Sequence, residues 1–524
     1  MSSQGDRVPG AKAQRVLTLV ALLPILATVY QTLVLTDLAD ADIRRGIESD
    51  PGDSTWLSAA WGLSTLYGVF IGLGLSKKLR PRNTLIIGLF LFSVGNLLCG
   101  LANGFIAMIA ARMVEGLGKG MCIILLRSYL YARFDRMLFA AVLCYGLFAY
   151  STRGTSPLVA AWVNEIMGWR WVYWANMPLG VLGMVLVAWL IPPDPRPAPV
   201  QQASGESKPD ALVIHLLITW LMSLLFLLGW RGREGGGTSN LILVLVVVSV
   251  VVFVALVARL AVSLKNGDNI SRLLRSRSYL GAMGCRMLLL LHLAALMGVL
   301  SKYMVELRGY PAVHAGWAFV PATFSMAAGF LVCVSRKGRD WRHLCLLLGA
   351  LGASASILWL AQVDLATPWH QIALRVLVWG FFVGALPGSF LIDEVEGLEK
   401  SDLPVAAAFA IVVLATPLIL VPALMGTLIS DQKEAAFDHQ RQWIRSSRPV
   451  VGATLARGVE HFTSRGMDME QATALSAGLI TAMVQLQSAS IGIQSGLLFL
   501  SLFTGILGML FTLPLLFSRL KLPG

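Results

Sequence analysis

Arg112, Glu115 and Lys119 stand three and four positions apart within a mostly apolar stretch, a spacing that sets all three on one face of a helix. A carboxylate flanked by two cations can carry a proton, neutralise a neighbour, or leave positive charge over for an anion. Glu115 precedes Lys119 by four residues, the favourable order for an ion pair, so a self-neutralising pair stands beside the proton-carrier reading. Arg127, Arg153, Arg286 and Arg375 lie in other apolar stretches with no acid close in sequence, and Glu115 is essentially the one deep acid. Each charge at a bilayer centre costs about 2.5–3.5 kcal/mol on insertion scales. Arg127 above all can snorkel to an interface instead. Together these residues argue for a cavity of positive potential lined by Arg112, Glu115, Lys119, Arg153, Arg286 and Arg375, suited to carboxylates because guanidinium offers paired donors. Asp37, Asp40, Glu306 and Asp364 are the remaining acids placed to pair with them.

The elements that carry these charges are membrane spans. The chain is 56% hydrophobic and 14% charged, too apolar for soluble domains, and apolar runs of about 18 or more residues recur along it, each long enough to cross about 30 Å of hydrocarbon as a helix. A transmembrane barrel would show short alternating segments instead. The expected fold is an all-α membrane protein with spans at Val16–Leu38, Thr55–Ser76, Asn83–Ala102, Phe105–Tyr131, Leu138–Glu165 and Trp169–Ile191. A Pro-rich cytoplasmic linker over 192–210 leads to two plainer helices within 211–262, Ala211–Trp230 and Ser239–Val262. Residues 279–524 hold six more, Tyr279–Met304, Ala315–Cys333, Leu344–Gln362, Gln371–Ile392, Val405–Ile429 and Ile491–Phe517.

A cytoplasmic N-terminus, residues 1–15, places most Lys and Arg in inner loops, as the positive-inside bias requires. The net charge of +13 is therefore read as orientation and not as nucleic-acid binding. The acidic loop from Asp393 to Asp402 is the one inner loop that dissents. The first apolar run lacks a small-residue cleavage site and is expected to stay as a signal anchor. Fourteen spans put both termini inside.

An internal repeat divides the chain. Ser76-Lys77-Lys78 matches Ser335-Arg336-Lys337, Ile109-Ala110-Ala111-Arg112 matches Ile372-Ala373-Leu374-Arg375, and Ser156-Pro157-Leu158 matches Thr416-Pro417-Leu418. Three landmarks in one order predict two pseudo-symmetric six-helix bundles in parallel orientation, with two transmembrane helices inserted between them. Pro157 and Pro417 are expected to bend their helices. Gly116 and Gly120, like Gly380 and Gly384, are expected to admit close helix approach. Lys77, Lys78, Arg80, Arg336 and Lys337 form basic inner loops placed to gate the passage. The polar segment 430–490 breaks the pattern; Glu434–Ile444 and Met469–Gln487 within it read as helices with one apolar face needing a partner surface or the membrane interface.

Other residues are bland. Cys99, Cys122, Cys144, Cys285, Cys333 and Cys345 are scattered singly and read as core filler, with no metal site. His215 and His292 read as packing residues, and Trp162, Trp169, Trp171, Trp174, Trp230, Trp341 and Trp369 as interfacial anchors. The chain has no His-Glu-x-x-His, Gly-x-Ser-x-Gly or phosphate loop, so no enzyme is indicated.

Gly168-Trp169-Arg170-Trp171 followed by Asn176-Met177-Pro178-Leu179-Gly180 resembles the signature between the fifth and sixth helices of fourteen-span drug exporters of the major facilitator superfamily, the EmrB/QacA type. Arg112 and Gly116 in Arg-Met-Val-Glu-Gly are similar to that family's fourth-helix motif, whose arginine is implicated in proton coupling. The resemblance implies a secondary transporter of a bacterial inner membrane that exports small molecules by alternating access. It implies no cofactor beyond a proton gradient. It also implies that 430–490 faces a periplasmic adaptor, a membrane fusion protein, leading to an outer-membrane channel. The arginine excess biases the expected substrates toward anionic or amphipathic molecules. The sequence departs from the pattern where Lys77 and Arg80 stand in place of an aspartate and a glycine, and where Ser156, Ala160 and Ala161 replace glycines around Pro157. These departures leave two alternatives open, an uncoupled anion transporter and a transport-inactive scaffold or sensor.

Overall fold

The computed structural model describes residues 11–32, 38–49, 53–133, 145–148, 154–191, 211–233, 240–266, 269–335, 341–394, 398, 403–442 and 449–520. Among them the chain is helical throughout, with no strand. The first bundle comprises α1 (Ala11–Gln31), a short helix α2 (Asp40–Gly46), α3 (Ser54–Lys78), α4 (Pro81–Leu101), α5 (Phe105–Arg133), α6 (Ser156–Met167), and α7 (Trp169–Trp174) continued by α8 (Asn176–Leu190). The inserted pair is α9 (Ala211–Arg233) and α10 (Asn240–Asn266), followed by a short α11 (Asn269–Arg275). The second bundle comprises α12 (Arg277–Lys302), which passes into a π turn at Tyr303–Leu307, α13 (Ala312–Val334), α14 (Arg342–Leu360), α15 (Trp369–Asp393), α16 (Leu403–Arg441), α17 (Pro449–Thr463) and α18 (Met469–Leu520). Ten of the described helices are long and apolar enough to cross a membrane. Charge keeps α5 out of that set, because Arg112, Glu115, Lys119 and Arg127 all lie on it.

Burial orders these helices from the centre outward. The α12 segment is enclosed over 83% of its most apolar window, whereas α10 is enclosed over only 11%, so α12 lies at the heart of the molecule and α10 presents Val and Leu to lipid. Ile218, Leu221 and Leu225 of α9 pack with Ala59, Leu63 and Leu66 of α3 and with Val412 and Ala423 of α16. The first inserted helix thus covers the seam where α3 of one bundle meets α16 of the other. A second seam joins α6 to α13, where a Cβ on Gly316 would lie 2.7 Å from the Leu158 backbone.

Inside each bundle one helix pair sets the geometry. A Cβ on Gly116 would fall 2.0 Å from Ser64 Oγ of α3, and one on Gly380 would fall 2.4 Å from Ser325 Oγ of α13. A Cβ on Gly120 would meet the Thr65 carbonyl at 2.0 Å, and one on Gly384 the Met326 carbonyl at 2.1 Å. Both bundles therefore repeat a close crossing through corresponding glycines. This register corrects the repeat drawn above: four residues before Gly380 stands Val376, so Val376 and not Arg375 is the counterpart of Arg112.

Two expectations about helix shape change. Pro157 occupies the first turn of α6 behind Thr155, where its missing N–H costs no helical bond, so it starts a helix and does not kink one. Pro417 does lie inside α16, together with Pro422. The outer segment is also more regular than its polarity suggests: α16 runs unbroken past Ile429 to Arg441, and α18 already begins at Met469. At 1.5 Å per residue the 52-residue α18 is about 78 Å long against about 30 Å of hydrocarbon, so both helices project well beyond the bilayer. Ser488 Oγ donates to Gln440 Oε1 at 3.0 Å and ties the two projections together.

The glycine crossings can be tested by adding one methyl. Gly120→Ala and Gly384→Ala are each expected to destabilise the detergent-solubilised protein by about 1–3 kcal/mol through overpacking. Gly74→Ala, where a Cβ meets nothing within 4 Å, is expected to be neutral or slightly stabilising. Thermal unfolding of the three variants checks this ordering, and equal midpoints would remove the close-crossing account.

Candidate functional site

The charged residues gather in three places. In the first bundle, Arg112 Nη1 donates to Glu115 Oε2 at 2.6 Å, with both groups buried. Cys99 Sγ lies 3.9 Å from the same oxygen. The Arg112 guanidinium sits 5.3 Å from the Trp61 ring centroid and 5.7 Å from that of Tyr173. Lys119, fully enclosed, donates to Thr32 Oγ1 at 2.6 Å and lies 4.2 Å from the Trp61 ring centroid. The expected Glu115 and Lys119 pair is therefore replaced by Arg112 and Glu115. The close crossing at Gly116 brings Trp61 of α3 against the stretch between the two cations, and the ammonium turns to the ring and to α1.

At the inner ends of the helices, by the positive-inside orientation, Glu394 lies just past α15. Its Oε1 accepts from Arg127 Nη2 of α5 and its Oε2 from Arg286 Nη2 of α12. All three side chains are at most 2% exposed, and Arg286 lies 5.2 Å from the Phe390 ring centroid. Glu394 is thus a second buried acid, beyond the span end, and Arg127 there is enclosed by protein. Glu394 holds one cation from each bundle. Burial alone would raise its carboxyl, but Arg127 and Arg286 outweigh that and hold it below its ordinary value. A carboxylate depressed in this way contributes its ion pair at and above the ordinary carboxylate range, and that contribution is lost only as pH falls through the depressed value.

A third group sits at the opposite ends. Arg44 of α2 donates to Asp40 Oδ2 at 2.9 Å and to Glu306 Oε1 at 3.3 Å, again one bundle to the other. Glu306 is half exposed there. Of the other acids named from the sequence, Asp364 accepts from Thr367 Oγ1 and the Ala366 amide, and Asp37 lies outside the described residues.

Several expected site residues do not join these groups. Arg375 is half-buried at the edge of α15; it donates to the Trp359 carbonyl at 2.8 Å and lies 5.2 Å from the Trp359 ring centroid. Its position one residue off the Gly380 register turns it toward α14. Arg153, Arg336 and Lys337 lie outside the described residues. Lys77 and Lys78 are exposed and Arg80 half-buried at the end of α3. The five described residues of the six expected to line one cavity are thus divided: Arg112, Glu115 and Lys119 lie in the first-bundle cluster, Arg286 in the inner triad and Arg375 at the α14 edge. Sequence reasoning missed Trp61, Thr32 and Glu394. For Glu394 a signal existed, since it belongs to the acidic inner loop that breaks the charge bias while Arg127 and Arg286 lacked an acid. An apolar recess of about 700 Å³ between α13 and α15, lined by Phe324, Leu377 and Phe381 among others, opens at the side of the second bundle.

A family model described as Major Facilitator Superfamily matches residues 16–422. The chain belongs to the major facilitator superfamily, a family of membrane transporters. Among similar proteins, an uncharacterized MFS-type transporter of Mycobacterium tuberculosis is 33% identical over 27% of this chain and 24% of its own length. The multidrug export protein EmrB of Haemophilus influenzae is 26% identical over 46% of this chain and 47% of its own. The methylenomycin A resistance protein of Streptomyces coelicolor is 24% identical over 72% of this chain and 78% of its own. The chain thus spans less than half the length of the first two.

Coupling in the first-bundle cluster is measurable. Glu115→Gln strands the Arg112 guanidinium and is expected to cost about 3–5 kcal/mol. Adding Arg112→Gln is expected to cost less than the sum of the single changes. A double-mutant cycle on unfolding of the purified protein reads the coupling, and simple additivity would show that the two charges do not act as a pair.

Proposed function

We propose that the chain exports small amphipathic or anionic molecules across a bacterial inner membrane by alternating access, driven by the proton gradient. The observation that carries this reading is the pair of ionic bridges between the bundles, Arg127 to Glu394 at one end and Arg44 to Glu306 at the other. Two bundles hinged along seams and tied at both ends can expose their interior to one side only by breaking one tie while keeping the other. The ties are unequal. A pair whose carboxylate is half exposed, as Glu306 is against Arg44, is screened by solvent and lies toward the weak end of ion pairs, whereas the enclosed Arg127 and Glu394 pair is costlier to break. The outer tie yields first, so the unloaded carrier rests open toward the outside, and loading from the cytoplasm has to release the inner triad.

The names of the relatives, a multidrug export protein and a methylenomycin A resistance protein, favour export of foreign or secreted small molecules. Glu115 is the acid in this scheme that exchanges a proton, because it lies deep in the first bundle with Arg112 as its ion-pair partner. The overhanging helices serve a periplasmic adaptor that leads to an outer-membrane channel. On α18, Leu475, Leu479, Met483 and Leu486 recur at spacings of four, four and three and are all more than 40% exposed, an apolar stripe of the kind a partner helix covers. Uncoupled anion transport is the second reading, favoured by the departures from the family pattern at Lys77, Arg80, Ser156, Ala160 and Ala161.

Export from everted vesicles separates these readings. With an imposed pH gradient, amphipathic carboxylates are expected to move in preference to matched ammonium compounds. Glu115→Gln is expected to reduce gradient-driven movement at least tenfold while leaving downhill exchange. Gradient-independent transport by the unmodified protein would favour the uncoupled reading, and preferential movement of cations would overturn the anionic one.

A further inference from the structure

The recess at the side of the second bundle is blind and faces the bilayer. Val320, Phe324 and Ala328 of α13 and Leu377, Phe381 and Phe382 of α15 wall a volume of about 700 Å³, within the range of about 300–1,000 Å³ usual for small-molecule sites. Its back is closed by the glycine crossing: a Cβ on Gly329 would lie 2.0 Å from the Phe381 carbonyl oxygen, and one on Gly380 2.4 Å from Ser325 Oγ. The recess therefore leads nowhere inside the bundle. Phe324 is 71% exposed at its mouth, on the flank that meets lipid. Ser325, a hydroxyl on the wall, donates to the Ala322 carbonyl of its own helix, so the lining offers nothing to a polar group and fits a hydrocarbon chain.

A cation stands at the rim. The crossing sets Ser325 against Gly380, Met326 against Gly384 and Phe330 against Gly388, so α13 and α15 run in the same direction and Val320 lies level with the turn of α15 that carries Arg375. Arg375 donates to the Trp359 carbonyl and lies over the Trp359 ring. Neither contact supplies an anion: among the described residues Arg375 has no ion pair, and its Nε finds no acceptor. A cation in a membrane span is costly until it is paired. Arg375 stands six residues, about 9 Å, from Trp369 at the start of α15, a depth from which a long side chain reaches the headgroup region. Leu374 and Trp359 beside it are 52% and 37% exposed, so this edge also faces lipid. We propose that the recess and Arg375 together form a site for an anionic phospholipid, with one acyl chain in the recess and the phosphate on the guanidinium. The phosphate supplies the anion that the fold withholds from Arg375. A zwitterionic lipid brings its own ammonium with its phosphate, so the site favours lipids of net negative charge.

The test uses the full chain in neutral detergent, with dioleoyl phosphatidylglycerol as the probe and dioleoyl phosphatidylcholine as a control with the same chains, read by equilibrium binding and by thermal unfolding. Phosphatidylglycerol is expected to bind saturably, about tenfold tighter than phosphatidylcholine, the scale of one hydrogen bond to a charged group, and to raise the unfolding midpoint. Arg375→Gln is expected to abolish that preference while leaving phosphatidylcholine binding unchanged, and Arg375→Lys to keep most of it. Ala328→Trp sets a ring in the recess from an exposed position and is expected to lose most binding of both lipids; it serves where Arg375→Gln fails to fold. Equal binding of the two lipids, a preference that survives Arg375→Gln, or unchanged binding by Ala328→Trp overturns the proposal. Oleate supplies the other source of an anion on a chain: if it displaces phosphatidylglycerol and is itself moved by vesicles, the site belongs to a transported carboxylate and the lipid assignment falls.

Discussion

A guanidinium enclosed by apolar helices needs an anion and a ring or hydroxyl around it, because the energy of leaving it bare exceeds what any single packing contact returns. In this chain that requirement reaches across the fold. Arg127 and Arg286 come from different bundles, and they meet because Glu394 lies between them. Arg112 is answered by Glu115 on its own helix, so it constrains one helix and its neighbours within the first bundle only. The location of the anion thus decides whether a buried cation fixes a bundle or joins two.

The close crossings make this arrangement possible. Gly116 and Gly120 let α3 lie on α5, which brings Trp61 over Arg112 and Lys119. In the second bundle Gly380 and Gly384 do the same for α13 and α15, but the position answering Glu115 is Trp379, and the one answering Lys119 is Val383, both fully buried. One scaffold thus carries a charged core in the first bundle and an apolar core in the second. The second bundle holds its buried ion pair at the end of α15, between Arg286 and Glu394.

The sequence made the long apolar helices and the helices within 430–490 legible, because each is a property of a continuous window: apolar length or an amphipathic run. Partners were less legible. The order of Glu115 and Lys119 suggested a pair, but spacing on one helix says nothing of Trp61 and Thr32, which arrive from α3 and α1. Matching Ile109–Arg112 to Ile372–Arg375 was one residue out, and on a helix one residue is a turn of about 100°, enough to move Arg375 from the core to the α14 edge. Glu394 was visible only as an anomaly of loop charge.

The seam helix α16 joins the packing between the bundles to the overhanging helices. Val412 and Ala423 of α16 pack on α3, and the same helix continues to Arg441, tied to α18 through Ser488 and Gln440. A Cβ on Gly492 of α18 would lie 2.7 Å from the Ile429 carbonyl, so the two helices leave the bilayer in close contact and behave as one arm. The apolar stripe on α18 thus lies on the overhanging part of that arm. The two prolines inside α16, Pro417 and Pro422, lie between the arm and the start of the helix, where missing backbone bonds let the helix bend without breaking its contact with α3.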